Sequence, residues 1–391
     1  MRDFETVIPR LGTYSVKWDG VEHVFGRPNL HPMWVADMDF KPPQEIIQTI
    51  KMRLEHEIFG YTMTPDSLKK AICNWQRKKY KWDVQEDSIL VSPGVVTSIA
   101  TAVQALSEEG DKILMHSPVY PPFFSIPEAN ARQVVYSTLI DELEQYQIDW
   151  ADFENKLKDG VKLFILCHPH NPAGRVWTQD ELQKMIDLCK KYEVIILSDE
   201  IHCDLTLPDY QHIPLATVDP SYQDQIITFI APSKTFNLAG LQASSIIVPN
   251  EELRTKLETI QGKQGFHFLN IFGAVAMEAA YTHGEAWLDD LLKYLQENVQ
   301  VVQTFLKERL PQIKMKTPGA TYLLWLDCRE LGVEQDALVN ALLDVGELAL
   351  ENGEKYGPTG KGYVRMNIAC PRALLVEGLE RLERAISDLY K

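Results

Sequence analysis

Between residues 85 and 250, short β-branched or apolar runs alternate with helical patterns, and this alternation constrains the chain more than any other feature. The runs are "SILVS", "KILMHS", "KLFILC", "EVIILSD", "IITFIA" and "SSIIVP". They are apolar almost throughout rather than alternately apolar and polar, so both faces of the strands they form must be covered. A mostly parallel sheet flanked by helices meets that demand. One of the flanking helices is well marked. In "TQDELQKMIDLCKKY", Thr178 and Glu181 make a capping-box pattern, and Leu182, Ile186 and Cys189 share a face. A second starts at "TPDSLKKAICNW", with Thr64 as N-cap, Pro65 as the first helical residue, and Leu68, Ile72 and Trp75 on the buried side.

The 391 residues exceed the usual size of one hydrophobic core. The pattern changes after residue 288. "LDDLLKYLQENVQVVQTFLKERL" carries Leu288, Leu291, Leu292, Leu295, Val299, Val302 and Leu306 on one stripe, long enough to bridge two lobes. A strand-like "TYLLWLD", a helix "QDALVNALLDV", a strand-like "GYVRMNIA" and a last helix through Leu375, Leu379, Leu382 and Ile386 then read as a compact α+β lobe. The boundary is expected near residue 285.

A net charge of −16 argues against nucleic acid or an anionic membrane surface as partner, because phosphate repels a field of that sign. No stretch of about 18 apolar residues runs together, and "MRDFETVIPRLG" lacks the apolar core of a secretion signal. A soluble, cytoplasmic protein is the expectation. The six cysteines show neither a C-x-x-C pair nor zinc-like spacing, so buried, reduced thiols are expected. Cys167, His168 and His170 in "CHPH" lie on one short segment without an obvious partner pair, and no metal site is expected there.

In an open α/β sheet, ligands sit beyond the carboxyl ends of the strands. Four of the apolar runs deliver chemistry at that place: Gly94, Val95 and Val96 open a helix after "ILVS", Asn171 follows "FILC", Asp199 follows "VIILS", and Lys234 follows "ITFI". Each alone is ordinary, since a lone lysine is usually solvated and Asn-Pro is a common turn. Together they supply what pyridoxal 5′-phosphate needs. Lys234 offers an amine for a Schiff base with the cofactor aldehyde, provided the site lowers its pKa. Asp199 suits the pyridine nitrogen and keeps it protonated. Asn171 donates to the ring hydroxylate, the amides around Gly94, Val95 and Val96 attract phosphate, and Ser233 adds a hydroxyl.

"SPGVV", "HNPAGRVW", "SDEIH" and "SKTFNLAG", in this order, resemble the fold-type I pyridoxal phosphate enzymes of the class I/II aminotransferase superfamily. "HPMWVADMDFKPP", "FGYT" at 59 to 62 and "DEIHCDL" are most similar to its MalY/PatB group, the cystathionine β-lyase-like carbon–sulfur lyases. The resemblance implies the aminotransferase fold type I: an α/β large domain with a mostly parallel sheet over 46–285, and a smaller α+β domain made of 286–391 and the N-terminal segment 1–45. It also implies that Tyr120 stacks on the cofactor ring and that Arg365 clamps the substrate α-carboxylate. Trp34 and Ala36 would form a substrate-side loop, with the Ala36 amide helping to hold that carboxylate. Tyr61 would reach the phosphate of a neighbouring subunit, making the protein a homodimer with shared active sites.

Three positions depart from the pattern. His202 stands where many aminotransferases have a tyrosine that donates to the ring hydroxylate, and Gln242 stands where many relatives have a basic phosphate ligand. His168 replaces the asparagine usual before "PHNP" and has no evident role. Once freed from the cofactor, Lys234 serves equally as the base for β-elimination or for transamination. The resemblance favours elimination from cystathionine, cysteine or another S-substituted cysteine. An aminotransferase for aromatic or sulfur amino acids is the alternative, and a protein-binding partner of a transcription regulator is an alternative of another class. The chain shows no basic segment for direct DNA readout.

Overall fold

The computed structural model describes residues 3–142 and 144–390. Among them, the six apolar runs form β1 (Ile89–Ser92), β2 (Lys112–Ser117), β4 (Val161–Cys167), β5 (Ile195–Asp199), β6 (Ile226–Ile230) and β7 (Ser244–Ile247) of one sheet, joined by β3 (Gln133–Thr138). The strand order is β1-β7-β6-β5-β4-β2-β3, with β7 antiparallel to both neighbours and the other pairs parallel. β3 is absent from the apolar runs for a physical reason. It is the edge strand, and most of "QVVYST" is exposed or half-buried.

Successive residues of β4 go to opposite faces. Leu163, Ile165 and Cys167 join one apolar cluster with Ile99, Val103 and Phe123, whereas Phe164 and Leu166 join the other with Ile186 and Trp177. Both faces are buried, which is why the strands read as unbroken apolar runs.

Helix α1 spans Asp66–Tyr80, and α2 spans Val95–Leu106. Pro65, not Thr64, is the N-cap of α1, so that helix starts one residue later than expected, while Leu68, Ile72 and Trp75 are buried as expected. Helix α3 (Gln179–Lys191) carries the full capping box between Thr178 and Glu181. The single turn α4 (Pro232–Thr235) holds Lys234. The long α5 (Glu285–Arg309) buries every leucine and valine of its expected stripe except Leu292, which is half-buried.

A second, antiparallel sheet follows, with β8 (Lys314–Met315), β9 (Leu323–Asp327), β10 (Glu351–Asn352) and β11 (Tyr363–Asn367) in the order β8-β9-β11-β10. Helices α6 (Gln335–Asp344) and α7 (Arg372–Asp388) complete this part. The N-terminal segment runs with it: His31–Pro32 pair in parallel with Leu348–Ala349, and Asn367 N donates to Met33 O. Among the described residues, all six cysteines are free thiols and buried, and no helix is long and apolar enough to cross a membrane.

Candidate active site

Strand register builds the floor of the site. Cys167 at the end of β4 lies level with Asp199 at the end of β5, and Asp199 lies level with Phe229 on β6. β5 is the middle strand of seven, so Asp199 stands at the centre of the carboxyl edge. Around it is a cavity of about 170 Å³ bordered by Gly94, Val95, Val96, Tyr120, Asn171, Asp199, His202, Ser233, Lys234 and Ala36. Ten of the thirteen residues singled out from the sequence therefore meet at one place. The amides of Val95 and Val96 lead α2, a helix with no acidic side chain in its first turn, so its orphan donors face the cavity unopposed.

Burial sets the electrostatics. The Lys234 amine is pushed down to about 8 by its removal from water, with the Arg365 guanidinium acting in the same direction and the Asp37 and Asp199 carboxylates opposing. Asp199 is pushed up to about 7, also chiefly by burial, although the Ile201 amide donates to its Oδ1 at 3.0 Å. The His202 imidazole is lowered to about 3 by burial and by the Lys234 and Arg365 charges, so it is neutral at physiological pH. Its Nδ1 is buried with no hydrogen-bond partner among the described residues. A neutral imidazole with one ring nitrogen unsatisfied can donate or accept toward a bound group.

The wall facing this floor is the segment 33–38, "MWVADM", and its carbonyls are gripped one after another. Asn367 N donates to Met33 O at 2.8 Å, Arg365 Nη2 to Trp34 O at 2.9 Å, and Asn367 Nδ2 to both Val35 O and Asp37 O. Ala36 O accepts from Lys234 Nζ at 2.7 Å and from Tyr322 Oη at 3.1 Å. The carbonyl of Ala36, rather than its amide, is thus the group engaged here. Arg365 is buried, bonds Asn171 Oδ1 through Nη1 at 3.2 Å, and keeps its Nε without a partner among the described residues. Beyond this wall a second chamber of about 610 Å³ shares Ala36, Lys234 and Ala239 with the first and leads outward past Asp37 and Tyr14.

Two singled-out residues lie elsewhere. The Trp34 indole packs in a separate apolar cluster with Val21 and Leu30 and donates to Lys17 O at 3.0 Å, so only its carbonyl reaches the site. Tyr61 is fully exposed, in a strip with Ile58, Phe59 and Met63. Gln242 borders the cavity.

Other participants are not legible in the sequence. Cys167 and Ile201 line the cavity, and Tyr322 reads only as part of a strand. Asn237 lies three residues after Lys234. It adopts a left-handed φ of 58°, accepts from Met38 N at 3.0 Å, and donates to Met38 O and Phe40 O, tying the lysine loop to the wall.

Residues 33–382 match the family profile described as aminotransferase class I and II. The chain is 44% identical to the cystathionine β-lyase PatB of Bacillus subtilis, across 98% of this chain and 100% of that protein. Its structure superposes on cystalysin of Treponema denticola, which contains pyridoxal 5′-phosphate, with a TM-score of 0.96, 34% identity and complete coverage of both chains. On the pyridoxal-phosphate-bound C–S lyase of Staphylococcus hominis the TM-score is 0.93 at 34% identity, covering 99% of this chain and 98% of that one.

Proposed function

Because the chain belongs to the class I and II aminotransferase family, we propose that it is a pyridoxal 5′-phosphate-dependent carbon–sulfur β-lyase. It cleaves L-cystathionine or related S-substituted cysteines to a thiol, pyruvate and ammonia. The observation that carries the cofactor assignment is the half-buried Lys234 amine, lowered to about 8, in one cavity with buried Asp199. The donor set fits that cofactor: an amine, a carboxylate, an unsatisfied imidazole nitrogen on His202, and a helix N-terminus free of acidic side chains. The choice of reaction rests on full-length relatives named for it, PatB and the S. hominis C–S lyase.

When bound, the cofactor supplies an electron sink for charge developing at the substrate α-carbon. Lys234 would hold it covalently and would take the substrate α-proton, a role suited to an amine lowered to about 8. Asp199 would hold the proton of the ring nitrogen, and Asn171 and His202 would serve the ring hydroxylate. Tyr120 would pack on the ring, while Gly94, Val95, Val96 and Ser233 would hold the phosphate. Arg365 binds the substrate carboxylate with its guanidinium fork, and the backbone at Trp34 and Ala36 closes that side. The thiolate then leaves the β-carbon, and the three-carbon remainder hydrolyses to pyruvate and ammonia.

We further assign residues 46–285 to the cofactor-binding domain and 1–45 with 286–391 to the smaller one. The exposed strip Ile58, Phe59, Tyr61 and Met63 supports a homodimer in which Tyr61 serves the neighbouring site. Incubation with L-cystathionine, L-cysteine and S-alkyl cysteines, with no keto acid present, is expected to yield pyruvate and thiol in equal amounts. Turnover only with a keto-acid acceptor would make the protein an aminotransferase. Lys234→Ala is expected to abolish the reaction, and an undiminished rate in that variant would remove the lysine from the mechanism.

A further inference from the structure

Behind the floor of the site, on the opposite face of the sheet, lies a run of buried polar groups that the chemistry above does not use. The two-residue period of a strand turns Asp199 toward the cavity and Glu200 away from it. Glu200 Oε2 meets His212 Nε2 at 2.7 Å, and Glu200 Oε1 accepts from Ser198 Oγ at 2.9 Å and Leu215 N at 3.1 Å. The His212 ring packs against that of His168, with centroids 4.3 Å apart and the planes tilted by 36°. His168 Nε2 lies 2.9 Å from Ile213 O, and because a carbonyl only accepts, this nitrogen carries the hydrogen.

The run continues. The ring of Tyr80 meets His212 edge-on at 5.4 Å, and the Tyr80 hydroxyl donates to Asp204. Asp204 also accepts from Trp75 Nε1 at 2.9 Å and from Thr235 Oγ1 at 3.1 Å. His168, Glu200, Asp204, His212 and Thr235 are all buried.

Apolar side chains in these places would cost less desolvation, so stability alone gives no reason for the run. Its spacing against the site does. His168 precedes Asn171 by three residues, Glu200 directly follows Asp199, and Thr235 directly follows Lys234. His168 N also bonds the Asp199 carbonyl at 2.9 Å. Each of three groups on the cavity side thus has a buried neighbour in one connected chain on the other side.

We propose that the chain Glu200–His212–Tyr80–Asp204–Thr235, with His168 packed against His212, is a positioning layer that holds Asn171, Asp199 and Lys234 in fixed relation to one another. His168 gains a role in it, because its ring is the platform on which His212 rests and its Nε2–H fixes the 212–215 loop. The inference rests on the cofactor assignment made above. None of these six residues borders the cavity, so they act through the groups beside them.

The test uses His212→Phe, which keeps a ring against His168 but removes the link to Glu200, and Thr235→Val, which is isosteric and removes the link to Asp204. The wild type, both variants and the double variant are loaded with pyridoxal 5′-phosphate. The visible absorption band, its midpoint in a pH titration and the cofactor dissociation constant are then measured. Each single variant is expected to weaken cofactor binding roughly tenfold, the scale of one lost hydrogen bond to a charged group, and to move the spectral midpoint. The double variant is expected to lose less than the product of the two, because both cut one network. Thr235→Ser restores the hydroxyl and is expected to restore the wild-type values.

Wild-type spectrum, midpoint and affinity in folded variants would overturn the proposal, and so would strictly multiplicative losses. If His212→Phe does not fold, Thr235→Val and its serine rescue decide the question. A wild-type protein without a visible band overturns the cofactor assignment as well, whereas a normal wild-type band with unaffected variants overturns only the positioning layer.

Discussion

Asp199 and Ala36 border the same cavity, but they are held there by different physics. Asp199 ends the middle strand of a buried sheet, level with Cys167 and Phe229, and its position follows from the register of three neighbouring strands. Ala36 lies on an irregular segment whose carbonyls are caught by side chains from far along the chain. Tyr322 reaches it across 286 residues, and Arg365 reaches Trp34 across 331. The floor is thus a property of backbone ladders, and the wall is a property of a few side-chain donors. The comparison teaches where the site tolerates change: a floor residue is difficult to displace without unfolding a strand, whereas the wall depends on individual hydrogen bonds.

The largest effect that sharpens this contrast belongs to the floor and is read as a pH dependence. The attacking species toward the cofactor aldehyde is the neutral amine, and burial lowers Lys234 from the ordinary lysine value of 10.5 to about 8. Below pH 8 the amine is mostly protonated, so the rate of cofactor uptake by the cofactor-free protein should rise about tenfold per pH unit there. It should level off above 8. The check is the visible absorbance growing with time after mixing, at a series of pH values. A rate still climbing about tenfold per unit between roughly pH 9 and 10 would show an ordinary, hydrated lysine, and the burial that defines the floor would lose its chemical meaning.

A smaller effect is expected from the wall. Asn367 gives Nδ2 to Val35 O and Asp37 O and accepts from Ala369 N through Oδ1 at 2.7 Å. Asn367→Ala leaves these buried groups without that partner, which costs about 1–3 kcal/mol. Urea unfolding of the variant should show a lower midpoint with an unchanged slope. An unaltered midpoint would mean that the wall is held by the remaining donors and that the contrast with the floor is weaker than the hydrogen bonds imply.

The same contrast explains what is legible in the sequence. Gly94, Asn171, Asp199 and Lys234 each follow an apolar run, so the chemistry and the element that carries it are adjacent in the chain. The wall has no such local signal. "MWVADM" carries meaning only by resemblance, and the atoms held there are carbonyls, which no side-chain pattern reports. Asn237 illustrates the gap: nothing beside it in the chain points to the wall, while its amide reaches Met38 and Phe40, about 200 residues away. The layer behind the floor is hidden for the same reason. His168 stands out as a departure, but its partners Glu200 and His212 are joined to it only through the fold.

The smallest effect on the folded chain, and the one that separates both regions from the surface, concerns Tyr61. Floor and wall residues are buried or half-buried and bonded, whereas Tyr61 has a relative accessibility of 103% and lies among exposed Ile58, Phe59 and Met63. A side chain this exposed contributes little to the stability of its own chain, so Tyr61→Ala should change it by no more than about 0.5 kcal/mol. Its proposed work is for the neighbouring site. Cofactor affinity should therefore fall in the assembled protein even though the unfolding curve measured on the separated chains stays put. Mixing Tyr61→Ala chains with Lys234→Ala chains tests the geometry directly. If Tyr61 acts across the interface, the site built on the intact lysine receives its tyrosine from the Lys234→Ala partner and carries neither lesion, while the other site carries both. If Tyr61 acts within its own chain, each site of the mixed dimer carries one lesion and no intact site forms. Activity in the mixture well above the sum of the separate variants is thus the outcome that assigns Tyr61 to the neighbour, and simple additivity would return it to its own surface.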